Sequence, residues 1–428
     1  MSVVMTVATE VEKYFADMAN DQSPSWLRAL QEKQMQSFVK RGFPTKREEL
    51  WKYTDVSYLS KQKFEQGMMS AHQYTDTLAT QNHVVFVNGH FSAEHTNLKN
   101  LPEGVVACSI RDALSQHAEL IKPYLSKEFD SQRFPFVALN TALLNDGMFL
   151  YIPKNCAISA PIHCVYLNTN QNNFMTHSRN IIVADVNSQC VFIEEHIAQQ
   201  AANYFANVVT QLYLNENALV HYYKIQAEDL QATHIANVIA EQKKDSTLKS
   251  FTLDVGGLLT RTDINIALQE RGAACELNGL YYLDANGQHV DNHLFVDHIA
   301  EHGTSSMLYK GILDKKSRAV FNGKVFVEKS AQKINAHQAN HNLLLSKDAE
   351  IDTKPELEIY ADDVKCAHGA TIGQLDAEAL FYLRSRGMTE AEARIMLTHA
   401  FAEEITSKIE HPLIMQYIQE RAGQHEKF

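Results

Sequence analysis

Residues Thr353 to Ile405 read TKPELEIYADDVKCAHGATIGQLDAEALFYLRSRGMTEAEARIMLTHAFAEEI, and their apolar period changes midway. Before Gly373 the apolar residues alternate or come in short runs, as in LEIYADDV, which predicts strand. After Asp376 they recur at helical spacing. Asp376 can cap a helix over Ala377 to Arg386, and Gly387 stands where a left-handed C-terminal cap belongs. Thr389 and Glu392 form a capping box that opens a second helix, with an apolar stripe of Ala393, Met396, Leu397, Ala400, Phe401 and Ile405. The plain outcome is a strand passing into a helical hairpin that packs on a core. Cys366 and His368 add chemistry: two residues apart on a strand, they share one face. A thiolate beside an imidazole can hold a soft or borderline metal, although two ligands make an open site. A buried cysteine and a hydrogen-bonded histidine fit the spacing equally well.

Upstream of this stretch, from Met148 to about Asp363, short β-rich runs such as PIHCVYLN, RNIIVADV, QCVFIEEH, NVVTQLYLN, CELNGLYYLD and SRAVFNGKVFVE follow one another with turn residues between them. Few helical periods interrupt them. A mainly β core of this kind fits a sandwich, a barrel or a β-solenoid. No crisp repeat is visible, so periodicity alone does not choose among them. Residues 1 to about 60 read as helical: Ser23-Pro24 opens a helix, Leu27, Leu30, Gln34 and Phe38 share a face, and Gly42 with Pro44 ends it. Trp51 and Tyr53 are packing aromatics or anchors. HVVFVNGHF (83–91) carries the Asn-Gly signal of a tight hairpin. The predicted organisation is a mostly helical region with a short hairpin over 1–145, a β core over 146–375, and a helical region over 376–428, whose tail RAGQHEKF frays.

The 428 residues carry a formal charge of −12 and 45% apolar residues. That balance supplies a sizeable core and argues against nucleic acid or an anionic membrane as partner. No apolar run reaches membrane-spanning length, and the N-terminus lacks a secretory pattern, so a cytoplasmic protein is expected. The six cysteines, with no CxxC pair, point to a reducing compartment and to no four-cysteine cluster cage.

Two histidine clusters remain. His289, Asp291, His293 and Asp297 share strand parity, with His298 and His302 beyond. Two imidazoles and a carboxylate can build an open divalent-metal site, or simply a hydrogen-bonded strand face. His337 and His341 would face together on a helix, but their flanks read as strand or loop. Gly256-Gly257 lacks the residues of a phosphate-binding loop, so ATP binding by this chain is not expected.

Lys365-Cys366-Ala367-His368-Gly369-Ala370-Thr371, Leu380 to Gly387, Ser306-x-x-Tyr309-Lys310-Gly311, Val320 to Lys324, Leu343 to Ser346, Asp254 to Gly257 and Lys52-Tyr53-Thr54 resemble the SufD family of the SUF iron–sulfur cluster assembly machinery. The resemblance covers most of the chain. It implies a right-handed parallel β-helix between helical ends, and a non-catalytic scaffold that pairs with SufB through late β-helix strands and with the SufC ATPase through the C-terminal helices. Leu380, Phe381, Tyr382, Arg386 and Phe401 are the expected ATPase contacts. His368, with Cys366 on the same strand, is the expected contribution to a nascent iron–sulfur cluster formed transiently at the SufB junction, with no tightly bound cofactor in isolation and a homodimer as an alternative assembly. The segment His337 to Leu344 lacks the cysteine of SufB-type chains, and Gly369 replaces their acidic residue after the histidine, so one subunit holds an incomplete site. His177-Ser178-Arg179 departs from the expected Pro-Arg at a turn. The competing expectation is a divalent-metal β-helix hydrolase built on His289, Asp291 and His293.

Overall fold

A computed structural model describes residues 23–424 except 71–73, 75–77, 79 and 170–172. The expectations for residues 1–22 and for the last four of the tail lie outside these. The molecule is mainly β, a parallel solenoid of about seven turns with helices at both termini. The chain alternates between two sheets. One sheet steps through Phe174–Ala184, Tyr204–Leu214, Thr233–Gln242, Leu259–Leu268, His289–His298 and Arg318–Val327 to Glu350–Ile359. The other steps through Ile162–Asn168, Gln189–Ala198, Leu219–Ala227, Thr247–Asp254, Ala274–Leu283, Thr304–Leu313 and Ile334–Leu344 to Val364–Gly373. Neighbours within each sheet run parallel.

The repeat that the sequence hides sits at the corners. Asn155, Asn187, Asn217, Asp245, Gly272, His302 and Lys333 all take positive φ at equivalent places, one per turn. Each donates its backbone N–H to the chain one turn on, as Asn187 does to Glu216 and His302 to Gln332. Asn187 Nδ2 also donates to Asn155 Oδ1 at 2.8 Å, and Asn217 Nδ2 to Asn187 Oδ1 at 2.9 Å. Asn and Asp tolerate the left-handed region best and Gly enters it freely.

Most inward-facing apolar residues join one cluster running from Val84 and Ile162 through Val220, Leu277 and Phe321 to Ile334, and Phe174, Tyr204, Val208 and Ala236 form a smaller one. Space for the tyrosines inside is made by glycines: a Cβ on Gly311 would lie 2.1 Å from the Tyr281 ring, and one on Gly279 would lie 2.2 Å from Tyr309. The outer face of the first sheet is covered by the N-terminal region, where Phe38, Trp51 and Phe136 pack on Phe205, Ile235 and Leu259. Leu27, Leu30, Gln34 and Phe38 all lie on the buried face of the helix Ser25–Arg41, as their spacing predicts. The second sheet is covered by the C-terminal helices, through Ile405, Ile414 and Ile418 against Ile193, Ile225 and Leu253.

The two ends of the solenoid differ. At the start, the predicted hairpin (Asn82–Val87 with His90–Phe91, Asn88 and Gly89 both at positive φ) adds to the second sheet, and Val106–Ser109 runs antiparallel on Met148–Ile152 of the first. At the other end, among the described residues, Glu350–Ile359 and Val364–Gly373 each have only one strand neighbour.

His298 faces inward, fully buried, with Nε2 2.9 Å from Ser305 Oγ, and burial pushes its pKa down to about 4. Below about pH 6.5 the unfolded chain protonates this ring while the folded chain does not, so stability falls as pH drops toward 4. Two and a half pH units correspond to about 3 kcal/mol. His298→Gln is expected to flatten the acid limb of urea-unfolding stability between pH 6.5 and 4. An unchanged pH slope would contradict this.

Candidate functional site: the open end of the solenoid

The strand Val364–Gly373 hydrogen-bonds on one side to Ile334–Leu344, in a register that sets Cys366 beside Ala336, His368 beside Gln338, Ala370 beside Asn340 and Ile372 beside Asn342. Those four partners are buried and point inward. By strand parity, Cys366, His368, Ala370 and Ile372 therefore crown the solenoid's interior. Every residue of this strand and of Glu350–Ile359 is exposed or half-buried. Among the described residues, the inner surface of the last turn, including Ile351, Leu357, Val364 and Ile372, is thus left without a layer above it.

Cys366 is half-buried against the apolar cluster, and His368 is exposed. Burial pushes the Cys366 thiol up, with the Ala336 backbone pulling weakly the other way. The thiol stays protonated until a metal or a cationic neighbour displaces the proton. The pair offers one imidazole and one thiol at an uncovered surface. His337 and His341 occupy alternate positions on the neighbouring strand and point to the outer face, where His341 Nδ1 meets Thr371 Oγ1 at 2.8 Å. They do not converge with His368.

The C-terminal hairpin follows directly. Asp376 caps the helix Ala377–Ser385 by accepting from the Glu378 N–H, and Gly387 (φ 96°) closes it. The Thr389–Glu392 capping box opens the helix Glu390–Thr406. Every residue of the first helix is exposed or half-buried: Leu380 is half-buried, Phe381 is 74% exposed and Tyr382 is 56% exposed. Arg386 Nη2 donates to Tyr382 Oη at 3.0 Å. The second helix is turned relative to its predicted stripe. It buries Ala393, Thr398, Ala402 and Ile405, and leaves Met396 53% exposed.

Phe401, the last of the expected ATPase contacts, also packs inward. It is half-buried on the solenoid, its ring 4.1 Å from Lys310 Nζ, and that buried lysine also donates to the Phe401 carbonyl at 3.0 Å and to Glu404 at 2.5 Å. Phe401 therefore anchors the helix. The last helix, Pro412–Gly423, is held in turn by Tyr417 and Arg421, both donating to the buried Glu195.

The His289 cluster is an internal clamp. Asp291 Oδ2 accepts from Arg261 Nη1 at 2.7 Å and from Thr54 Oγ1 at 2.5 Å, while Oδ1 stands 2.9 Å from His293 Nε2. His289 Nε2 lies 2.9 Å from Thr54 Oγ1. Burial alone would raise the Asp291 pKa, but Arg261 and His293 outweigh it and hold the carboxyl well below its ordinary value. Arg261 stacks on Trp51, 3.7 Å from the ring centroid, and also pairs with Asp263. The clamp fastens the N-terminal region to the first sheet. A carboxylate neutralised by guanidinium is poorly placed to anchor a catalytic cation, which removes the basis of the hydrolase expectation.

Sequence reasoning missed a buried group, His196, Glu228 and His234. The alternation Glu194-x-His196 within an apolar strand was its only signal.

Comparison with known proteins places the chain in context. The profile described as SUF system FeS cluster assembly, SufBD core domain, matches residues 166–401, and that of the SufBD protein N-terminal region matches 10–164. The iron-sulfur cluster assembly SufBD family protein of Synechocystis is 36% identical over 86% of this chain and 84% of its own length. The iron-sulfur cluster assembly protein SufD of Escherichia coli is 29% identical over 91% of each. A chloroplastic protein of Arabidopsis thaliana, ABCI7, is 26% identical over 99% of this chain and 90% of its own.

Proposed function

The chain belongs to the SufBD family of the SUF iron–sulfur cluster assembly system, and from that premise we propose that it is a non-catalytic scaffold whose open solenoid end is completed by a SufB-type subunit. The carrying observation is the asymmetry of the solenoid: a capped beginning and an uncovered last turn that presents Cys366 and His368 on its inner face. A parallel strand edge left unpaired is a template for another strand. Docking a second solenoid there extends both sheets and covers the inner face. It also sets the partner's ligands against Cys366 and His368, making up what two ligands lack for holding a nascent cluster. An imidazole binds iron less firmly than a thiolate, which suits a cargo that must leave. A second copy of this chain is the competing occupant, giving a homodimer.

The exposed Phe381 and Tyr382 support docking of a SufC-type ATPase on the hairpin, which directly follows the terminal strand. Motion of that helix would reach the open end through only a few residues. The six free cysteines support a reducing compartment such as the cytoplasm.

Co-expression with SufB-type and SufC-type partners, followed by purification through a tag on one partner, tests the assembly. Wild type is expected to co-purify as a stable complex. Phe381→Glu is expected to lose the ATPase, by 100-fold or more in affinity, with folding unchanged. Phe401→Glu is expected to destabilise the isolated chain instead. Undiminished ATPase binding by folded Phe381→Glu would remove the hairpin from the interface. A chain that stays free of both partners would overturn the scaffold reading.

A further inference from the structure

Inside the solenoid, far from its open end, three metal-ligating side chains meet. His196 lies near the end of Gln189–Ala198, Glu228 lies one residue past Leu219–Ala227, and His234 lies at the start of Thr233–Gln242. All three are buried, and their ligand atoms lie within 4.8 Å of one another. The two imidazole rings stand 4.7 Å apart at 69°.

The surroundings resemble those of a metal site. His196 Nε2 is 2.8 Å from Glu194 Oε1, the outer carboxylate that typically fixes the ring of a ligating histidine. Glu194 is itself held by Asn180, Thr210 and Tyr222. Glu228 accepts from Asn168 at 3.1 Å and from Gln226 at 3.2 Å. His234 Nδ1 stands 2.7 Å from Glu228 without a well-formed hydrogen bond, and its Nε2 is buried with no hydrogen-bond partner among the described residues. Leaving such an atom unsatisfied is costly, so its retention calls for a reason beyond folding. Charge points the same way. The inward face here holds Glu194, Glu228 and Asp254 against Lys224, which lies 3.8 Å from Asp254. Three carboxyl groups thus share this part of the interior with one lysine, an acidic lining of the kind that a bound cation offsets.

We propose that His196, Glu228 and His234 bind one divalent transition-metal ion, of the borderline class of Fe²⁺ and Zn²⁺, inside the solenoid. Two imidazoles and a carboxylate suit that class. With bonds of about 2.1 Å, a tetrahedral ion sets its ligand atoms about 3.4 Å apart, within reach by side-chain rotation. Glu228 leads straight into a surface turn in which Leu230 is 44% exposed, so one corner of chain separates the site from solvent. Cys366 lies six strands along the same sheet, roughly 30 Å away at about 4.8 Å per strand. The two sites are independent, and this ion would be resident rather than cargo.

The test uses tag-free, full-length protein carrying Cys366→Ser and His368→Ala, so that the open end cannot contribute. Co²⁺ is titrated by calorimetry and visible absorption, and thermal unfolding is followed with and without chelator. The expected result is one equivalent of Co²⁺ with tetrahedral ligand-field bands and a raised Tm that chelator reverses. His196→Gln and His234→Gln are each expected to weaken binding by two orders of magnitude or more, and Glu194→Gln by 10- to 100-fold. Lack of stoichiometric uptake by the parent protein overturns the proposal, whether or not the variants fold. Undiminished affinity in a folded His196→Gln/His234→Gln double variant overturns it as well.

Discussion

Arg261→Ala is expected to destabilise the chain by about 3–5 kcal/mol, read as a fall in the urea midpoint at constant slope. Arg261 and Asp291 are both buried, and the guanidinium donates to Asp291, to Asp263 and to the Leu50 carbonyl while stacking on Trp51. Removing it leaves the Asp291 carboxylate buried opposite Thr54 and two imidazoles, without its guanidinium partner. It also deletes the fastening between the N-terminal region and the first sheet. Adding Asp291→Asn to Arg261→Ala is expected to recover part of the loss, because the buried charge disappears with its partner. A loss below about 1 kcal/mol for Arg261→Ala would mean that the clamp is not what holds the two layers together.

Ile372→Asp is expected to leave the isolated chain within about 0.5 kcal/mol of wild type and to weaken pairing with a SufB-type subunit by at least 100-fold. Ile372 crowns the inner face above Asn342 and is 52% exposed, so a carboxylate there stays hydrated in the free chain. In the assembly proposed above, the same position is roofed by the partner's late strands, and the carboxylate must desolvate without a counter-charge. Titration of purified subunits by calorimetry reads both affinities. Equal affinity for the two forms would mean that the partner does not cover this surface.

What the sequence discloses follows from the range of each signal. Local chemistry is legible: the Asn88-Gly89 hairpin, the Thr389–Glu392 capping box and the Gly387 cap all stand where their residue types place them. Strand parity is legible too, and it correctly puts Cys366 with His368 and Asp291 with His293. The solenoid is not legible from periodicity. Its corners require a backbone conformation, not a residue, and Asn187, Asp245, Gly272, His302 and Lys333 all supply it. The partners of the clamp are equally hidden, since Arg261 lies 30 residues from Asp291 and Thr54 lies 237. The rotated face of Glu390–Thr406 has the opposite cause. Thr398 and Ala402 are buried there because Lys310 pins Phe401 and Glu404, which an apolar count along the helix does not register.

The central claim is that this chain supplies half of a cluster site at its open end. Anaerobic cluster reconstitution on the purified complex with SufB-type and SufC-type partners tests it most directly, comparing wild type, His368→Ala and His337→Ala by iron and sulfide content per complex. The account predicts that all three complexes assemble, that His337→Ala, whose ring faces outward, holds as much cluster as wild type, and that His368→Ala holds little or none. A His368→Ala complex that retains its full iron and sulfide would contradict it.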